Sequence, residues 1–207
     1  MFTGIVAAIG KITSVSPSIA GSDAGVRLTI DAGGLPLDDV ALGDSIALNG
    51  ACMTVVDKTA TAFAVDVSRE SLNRTAGLDK QGEVNLEKAL TLADRLGGHL
   101  VSGHVDGLGT VRRFEPVGES WELVVEAPQE LAKYLTYKGS VVVNGVSLTV
   151  NRVLDTAEGC EFSINLIPHT IQVTTLKHLV VGTRVNLEID LIARYCERLL
   201  SYQNRAV

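Results

Sequence analysis

Residues 43–55 read GDSIALNGACMTV, and residues 138–150 read KGSVVVNGVSLTV. Five of these thirteen positions are identical: Ser45/Ser140, Asn49/Asn144, Gly50/Gly145, Thr54/Thr149 and Val55/Val150. Asn-Gly between apolar residues is a common hairpin turn, so one match carries little weight. The matches continue in order, however. TGIVAAIG (3–10) is echoed by SGHVDGLG (102–109), FAVDV (63–67) by FSINL (162–166), and VNLE (84–87) returns unchanged at 185–188. The offset stays between 95 and 101 residues throughout, which indicates one module written twice.

Each copy is rich in Val, Ile and Thr, with Gly, Asn and Asp at turns. GVRLTID (25–31), CMTVVDK (52–58) and WELVVEA (121–127) read as strands. About six short strands per copy suggest a small closed barrel, which also removes exposed sheet edges. Helical spacing is expected in PQELAKYLT (128–136) and over Leu86, Ala89, Leu90, Ala93 and Leu96, the latter stopped by Gly97-Gly98. In the C-terminal tail Ile189, Ile192, Tyr195, Cys196, Leu199 and Tyr202 form one apolar stripe. It must either fold back on its own barrel or pack against the same helix of a neighbour.

The chain has 207 residues and a net charge of −6, which gives no basic footprint for nucleic acid or an anionic membrane. The N-terminus lacks the features of a signal peptide, and no apolar run approaches a membrane span. Cys52, Cys160 and Cys196 show no CxxC spacing, which argues against a disulfide framework or a zinc site and for free thiols in the cytoplasm. GxGxxG, P-loop, GxSxG and HExxH motifs are absent, so the usual nucleotide and nicotinamide enzymes are not expected.

Candidate chemistry follows the repeat. Cys52 and Thr54 share one face of a strand, as do Ser147 and Thr149, giving each copy two small hydrogen-bonding side chains beside a tight turn. Such a pair suits an uncharged heterocycle. A single copy would read as ordinary strand composition; retention in both favours a ligand. His99 and His104 lie five apart, on opposite sides of a strand, and so make poor partners for one metal. His104 aligns with Ile5, Lys138 with Gly43 and Asp190 with Ala89, so the copies differ in polar groups near the repeated loop. An imidazole gained in one copy favours proton transfer or ligand hydrogen bonding.

MFTGIV, NGACMTV, GGHLVSGHVDGLGT, KGSVVVNGVSLTV, NLIPHT and VNLEID together resemble the riboflavin synthase alpha-chain family, collinearly over essentially the whole chain. The resemblance implies an all-β fold: two duplicated six-stranded antiparallel Greek-key barrels over 1–97 and 98–187, then an oligomerisation helix over 188–207. It implies a homotrimer with sites between the N-barrel of one subunit and the C-barrel of the next. The implied reaction joins two molecules of 6,7-dimethyl-8-ribityllumazine. One gives a four-carbon unit to the other, yielding riboflavin and a ribitylaminopyrimidinedione without metal or cofactor. A lumazine synthase is a possible further partner.

The family's pocket falls here on Phe2, Gly4, Ile5 and Val6, then on Cys52, Met53 and Thr54, then on Asp66, Val67, Ser68, Arg69, Glu70 and Ser71. The second copy supplies Gly103, His104, Val105 and Lys138, then Ser147, Leu148 and Thr149, then Asn165, Leu166, Ile167, Pro168, His169 and Thr170. Phe2 is expected to cover a ring. His104, Ser147 and Cys52 are the expected catalytic residues, supported by Ser45, Lys138 and Asp190. The main rival is a non-enzymatic lumazine- or flavin-binding protein of the same fold. A flavin-binding barrel or a purely structural β-domain is the other.

Overall fold

The computed structural model describes residues 1–18, 21–157 and 159–203. The first six strands are β1 (Ala8–Ser18), β2 (Gly21–Asp31), β3 (Ser45–Leu48), β4 (Ala51–Lys58), β5 (Ala62–Ser68) and β6 (Gly82–Lys88). They close in the order β1-β2-β5-β4-β3-β6, every pair antiparallel. The second set is β7 (Gly107–Val117), β8 (Ser120–Pro128), β9 (Ser140–Val143), β10 (Val146–Asp155), β11 (Gly159–Leu166) and β12 (Arg184–Ile189). Read around the ring from β7, its order is β7-β8-β11-β10-β9-β12, the same topology again. Short helices follow equivalent strands: α1 (Arg69–Arg74) after β5 and α3 (Pro168–Val173) after β11. The expected helix at 128–136 is present as α2 (Gln129–Ala132), and the tail forms α4 (Leu191–Gln203).

The duplication extends to irregularities. β1 and β7 shift register between Ile12/Ser14 and Val111/Arg113, and β4 and β10 between Val55/Asp57 and Val150/Arg152. Such bulges bend strands round a small barrel, so both copies turn their corners at matching residues. Each barrel holds its own core, one around Ile12, Leu28, Ile46, Phe63 and Leu86, the other around Val111, Leu123, Phe162, Ile164 and Leu187.

The helix expected over Leu86–Leu96 is not formed. β6 runs to Lys88, paired on β1 and β3, and completes the first barrel. Its helical spacing was coincidental: four consecutive residues, Val84 to Glu87, are buried, which a strand sealed between two neighbours allows and an amphipathic helix does not. The VNLE repeat at β12 marked the same segment as strand.

The barrels meet at their Asn-Gly hairpins. Asn49 (φ 47°) and Gly50 (φ 85°) form a two-residue turn with both angles positive, as do Asn144 (48°) and Gly145 (82°). The two turns abut so closely that a Cβ on Gly50 would stand 2.8 Å from the Gly145 nitrogen, and one on Gly145 would stand 2.8 Å from the Gly50 nitrogen. The asparagines of the VNLE repeats then reach across. Asn85 Nδ2 donates to the Asn144 carbonyl (2.8 Å), and Asn186 Nδ2 donates to the Asn49 carbonyl (2.9 Å). Asn85 Oδ1 accepts from Thr175 N (2.8 Å), while Asn186 Oδ1 accepts from Ala76 N (2.7 Å). The result is a pseudo-twofold seam.

Candidate active site

The segments entering each barrel cross this seam. Phe2 and Val101 exchange backbone hydrogen bonds as an isolated antiparallel bridge. Beyond it the loop Thr3–Gly4–Ile5 sits against the second barrel, where Ser147 N donates to the Gly4 carbonyl (2.7 Å). The equivalent loop Ser102–Gly103–His104 sits against the first, where Cys52 N donates to the Gly103 carbonyl (2.8 Å). Both glycines need their positive φ (76° and 80°). Both also lack room for a Cβ, which would meet Ser147 Cβ at 2.6 Å or Cys52 Cβ at 2.7 Å. The exchange therefore joins Cys52 to the loop carrying His104, and Ser147 to the loop carrying Ile5.

Each loop is pinned by a buried glutamate from its own barrel. Glu87 accepts from Thr3 N (2.7 Å), Thr3 Oγ1 (2.8 Å) and Gly4 N (3.0 Å). Glu188 accepts from Ser102 N (2.6 Å), Ser102 Oγ (2.8 Å) and Gly103 N (3.0 Å). Burial pushes both carboxyls up, against the donors that favour the ionised form.

Ser147 has a partner that the repeat did not reveal. His99 Nδ1 lies 2.7 Å from Ser147 Oγ, while its Nε2 is buried without a hydrogen-bond partner. Burial pushes this imidazole down, and only the charge of Asp190 opposes that, so the neutral form is favoured. Gly98 allows the approach, since a Cβ there would lie 2.8 Å from Ser147 Oγ. The sequence signal was the Gly-Gly-His run, read only as a poor metal site. Among the described residues no three His, Cys, Asp or Glu side chains converge as a metal would require.

Other expected residues fall in several places. Cys52 and Ser147 are half-buried, while Thr54, Thr149 and His104 are exposed. Met53, Val67 and Leu166 point into the barrel cores, so their side chains are removed from any ligand. Phe2, expected to cover a ring, has no exposed surface; it packs with Ala47, Val101 and Val142 at the seam. Asp66 is held by Arg27 through two 2.8 Å contacts. Asn165 Oδ1 accepts from Ser120 Oγ (2.7 Å), and Ser68 caps α1 at Ser71 N (3.0 Å). Lys138 takes the left-handed backbone of its counterpart Gly43 (φ 62° and 95°), and its ammonium meets Asn151 Oδ1 (3.2 Å). Asp190 caps α4 through Ile192 N (2.8 Å). Burial pushes the Cys160 thiol up to about 11.

A cleft of about 770 Å³ opens at the end of the first barrel, taking in Ile5 and Ser45 beside Thr3, Glu87 and Ala89. Lys88, Arg95, Asp39, Asp44 and Asp94 ring it with charge. Its volume suits a drug-sized heterocycle. Asp106, which the sequence did not single out, holds α4 to the second barrel through Arg194 (2.6 Å) and Ile189 N (2.9 Å). Of the expected apolar stripe, Ile189 is instead the buried last residue of β12, but the part on α4 does not fold back: Ile192, Tyr195, Leu199 and Tyr202 are each more than 60% exposed.

Two like barrels docked about a pseudo-twofold axis, with two unlike polar clusters at the seam, define a duplicated double-barrel protein. The Lumazine binding domain family matches residues 3–89 and again 102–190. The chain belongs to the riboflavin synthase family. It is 47% identical to the riboflavin synthase of Photobacterium phosphoreum, over 97% of this chain and 89% of that one. It is 46% identical to that of Mycobacterium tuberculosis, over 97% and 98%, and 41% identical to that of Bacillus subtilis, over 99% and 92%. Among solved structures it resembles LumP complexed with 6,7-dimethyl-8-(1'-D-ribityl)lumazine, at TM-score 0.75 and 25% identity, over 91% of this chain and 99% of that one. LumP complexed with riboflavin gives TM-score 0.76 and 26% identity, with the same coverage.

Proposed function

We propose that the chain is a riboflavin synthase that dismutates two molecules of 6,7-dimethyl-8-ribityllumazine into riboflavin and 5-amino-6-ribitylaminopyrimidinedione. The observation that carries this is the pairing of two related but unequal clusters. Cys52 lies under the His104 loop on one side; Ser147, bonded to His99, lies under the Ile5 loop on the other. Two identical substrates call for two similar pockets. A reaction in which one molecule gives four carbons and the other receives them calls for a difference between them.

Holding both lumazines in register supplies much of the rate, since effective molarities of well-oriented pairs reach ~10⁵ M or more. The acidic 7-methyl group of one lumazine needs only a modest base. In this reading the neutral His99–Ser147 pair hydrogen-bonds one heterocycle, and Cys52 with His104 serves the other. Backbone amides and carbonyls of 66–71 and 165–170 read the pyrimidinedione edges. Lys138 and Ser45 support binding, and Asp190 tunes His99.

The exposed stripe on α4 supports a homotrimer in which pockets from neighbouring subunits face each other; exposed apolar surface of this kind marks an interface. The site of action is the cytoplasm; among the described residues no helix is long and apolar enough to cross a membrane. Incubation with the lumazine should produce riboflavin, followed by its absorbance in the blue. Truncation after Asp190 should weaken both assembly and turnover, and an active monomer would refute the shared site. The second reading, a binding protein, is favoured by the LumP likeness, but at 25–26% identity against 41–47% for the synthases. Saturable binding without product would establish it.

A further inference from the structure

We infer that the two pockets are positioned crosswise: Glu87 of the first barrel sets the Ser147 pocket of the second, and Glu188 of the second sets the Cys52 pocket of the first. The inference rests on the reading that Cys52 and Ser147 mark the two substrate pockets.

The connection can be followed atom by atom. Glu188 grips Ser102 and Gly103 through three donors, and the Gly103 carbonyl then accepts from Cys52 N on β4 at 2.8 Å. Glu87 grips Thr3 and Gly4 through three donors, and the Gly4 carbonyl accepts from Ser147 N on β10 at 2.7 Å. Neither glutamate touches the strand that it positions. Both belong to their own barrel's VNLE strand, on β6 or β12. Each loop is thus fixed at its root by one barrel and delivers its carbonyl to the other. Both carboxylates are at most 8% exposed, so water does not substitute for the loop donors.

Three charge-assisted bonds to one carboxylate are among the stronger local restraints available. Neutralising the carboxylate also turns an amide N–H₂ towards backbone donors. The loop should then open about tenfold more often, as expected when one or two such bonds are weakened. Glu87 and Glu188 are positioning residues: Glu87 acts through Gly4 and through Thr3, whose carbonyl accepts from His99 N (3.1 Å), and Glu188 acts through Ser102 and Gly103. Coupling of this kind makes the geometry of each pocket depend on the barrel opposite.

The test uses Glu188→Gln and Glu87→Gln in the full chain, with two readouts that need no turnover. The first is the rate of iodoacetamide alkylation of Cys52, followed peptide by peptide, with the same peptide in denaturant as the fully reactive reference and buried Cys160 as the unreactive control. The second is the NMR shift and titration of His99, which reports its bond to Ser147. Glu188→Gln should speed Cys52 alkylation about tenfold and leave His99 unchanged. Glu87→Gln should shift His99 and leave Cys52 within about twofold. Ser102→Ala and Thr3→Ala, each removing one bond to the glutamate and the bond that the hydroxyl accepts from His104 N or Ile5 N, should reproduce the pattern more weakly and cover the case in which a Gln variant does not fold. Effects on the same-barrel pocket, equal effects on both or no effect on either would overturn the inference. Absence of riboflavin formation in the unaltered protein would instead refute the proposed function and leave these readouts standing.

Discussion

Asn186→Ala should separate the docking of the barrels from their individual folding. The Asn186 side chain is almost fully buried and makes three hydrogen bonds: Nδ2 to the Asn49 carbonyl (2.9 Å) and the Ala76 carbonyl (3.3 Å), and Oδ1 from Ala76 N (2.7 Å). At about 1 kcal/mol net each, their loss costs about 3 kcal/mol. Asn85→Ala removes two, to the Asn144 carbonyl and from Thr175 N, and should cost about 2 kcal/mol. For a chain of this size, about 3 kcal/mol lowers Tm by roughly 6–12 °C. Urea unfolding followed by Trp121 fluorescence, which reports the second barrel, and by far-UV circular dichroism, which reports both, is the assay. Asn186→Ala should lower the midpoint and split the two signals, because weakened docking lets the barrels unfold separately. A loss below about 0.5 kcal/mol, within the range of ordinary surface substitutions, would refute a load-sharing seam.

Other consequences can be checked alongside. Gly50→Ala places a Cβ against the Gly145 nitrogen at positive φ, whereas Gly34→Ala (φ 92°) meets nothing within 4 Å; Gly34→Ala should cost about 1–2 kcal/mol and Gly50→Ala clearly more in thermal melts. Equal costs would show that the turns do not abut. Phe2→Ala empties a fully buried site between the barrels and should cost about 3–5 kcal/mol by chemical denaturation, where a surface ring would cost little. His99 has its pKa depressed by burial, so the stability it contributes is present above about pH 6.5 and is lost as pH falls through the folded value. The parent's Tm should fall as pH drops below about 6.5, and His99→Gln should flatten that fall; an unchanged slope would place the titration elsewhere.

The repeat made the fold legible because it records backbone requirements. Asn-Gly turns with positive φ, bulges at matching residues and a buried VNLE strand are each demanded twice by the same topology. The helix expected over Leu86–Leu96 rests on apolar spacing, which a strand buried on both faces satisfies equally well. Alternation along β4 and β10 puts Cys52 with Thr54 and Ser147 with Thr149 on one face, and the structure turns that face away from the cores, with Met53, expected in the pocket, and Val146 inside. His99 was not legible, because its role depends on a segment crossing from one barrel to the other. Nothing in local spacing says that Gly98 will stand beside Ser147, 49 residues away, and leave room for an imidazole. The burial of Phe2 was not legible for the same reason: its partners Val101 and Val142 lie in the other copy.

The most direct test is the stoichiometry of the reaction with purified full-length protein and 6,7-dimethyl-8-ribityllumazine as sole substrate. Loss of lumazine and gain of riboflavin would be followed by absorbance, with the pyrimidinedione trapped chemically. Two unequal pockets acting on a pair of identical substrates predict one riboflavin and one pyrimidinedione for every two lumazines consumed. Saturable binding of the lumazine with no riboflavin formed would contradict the account.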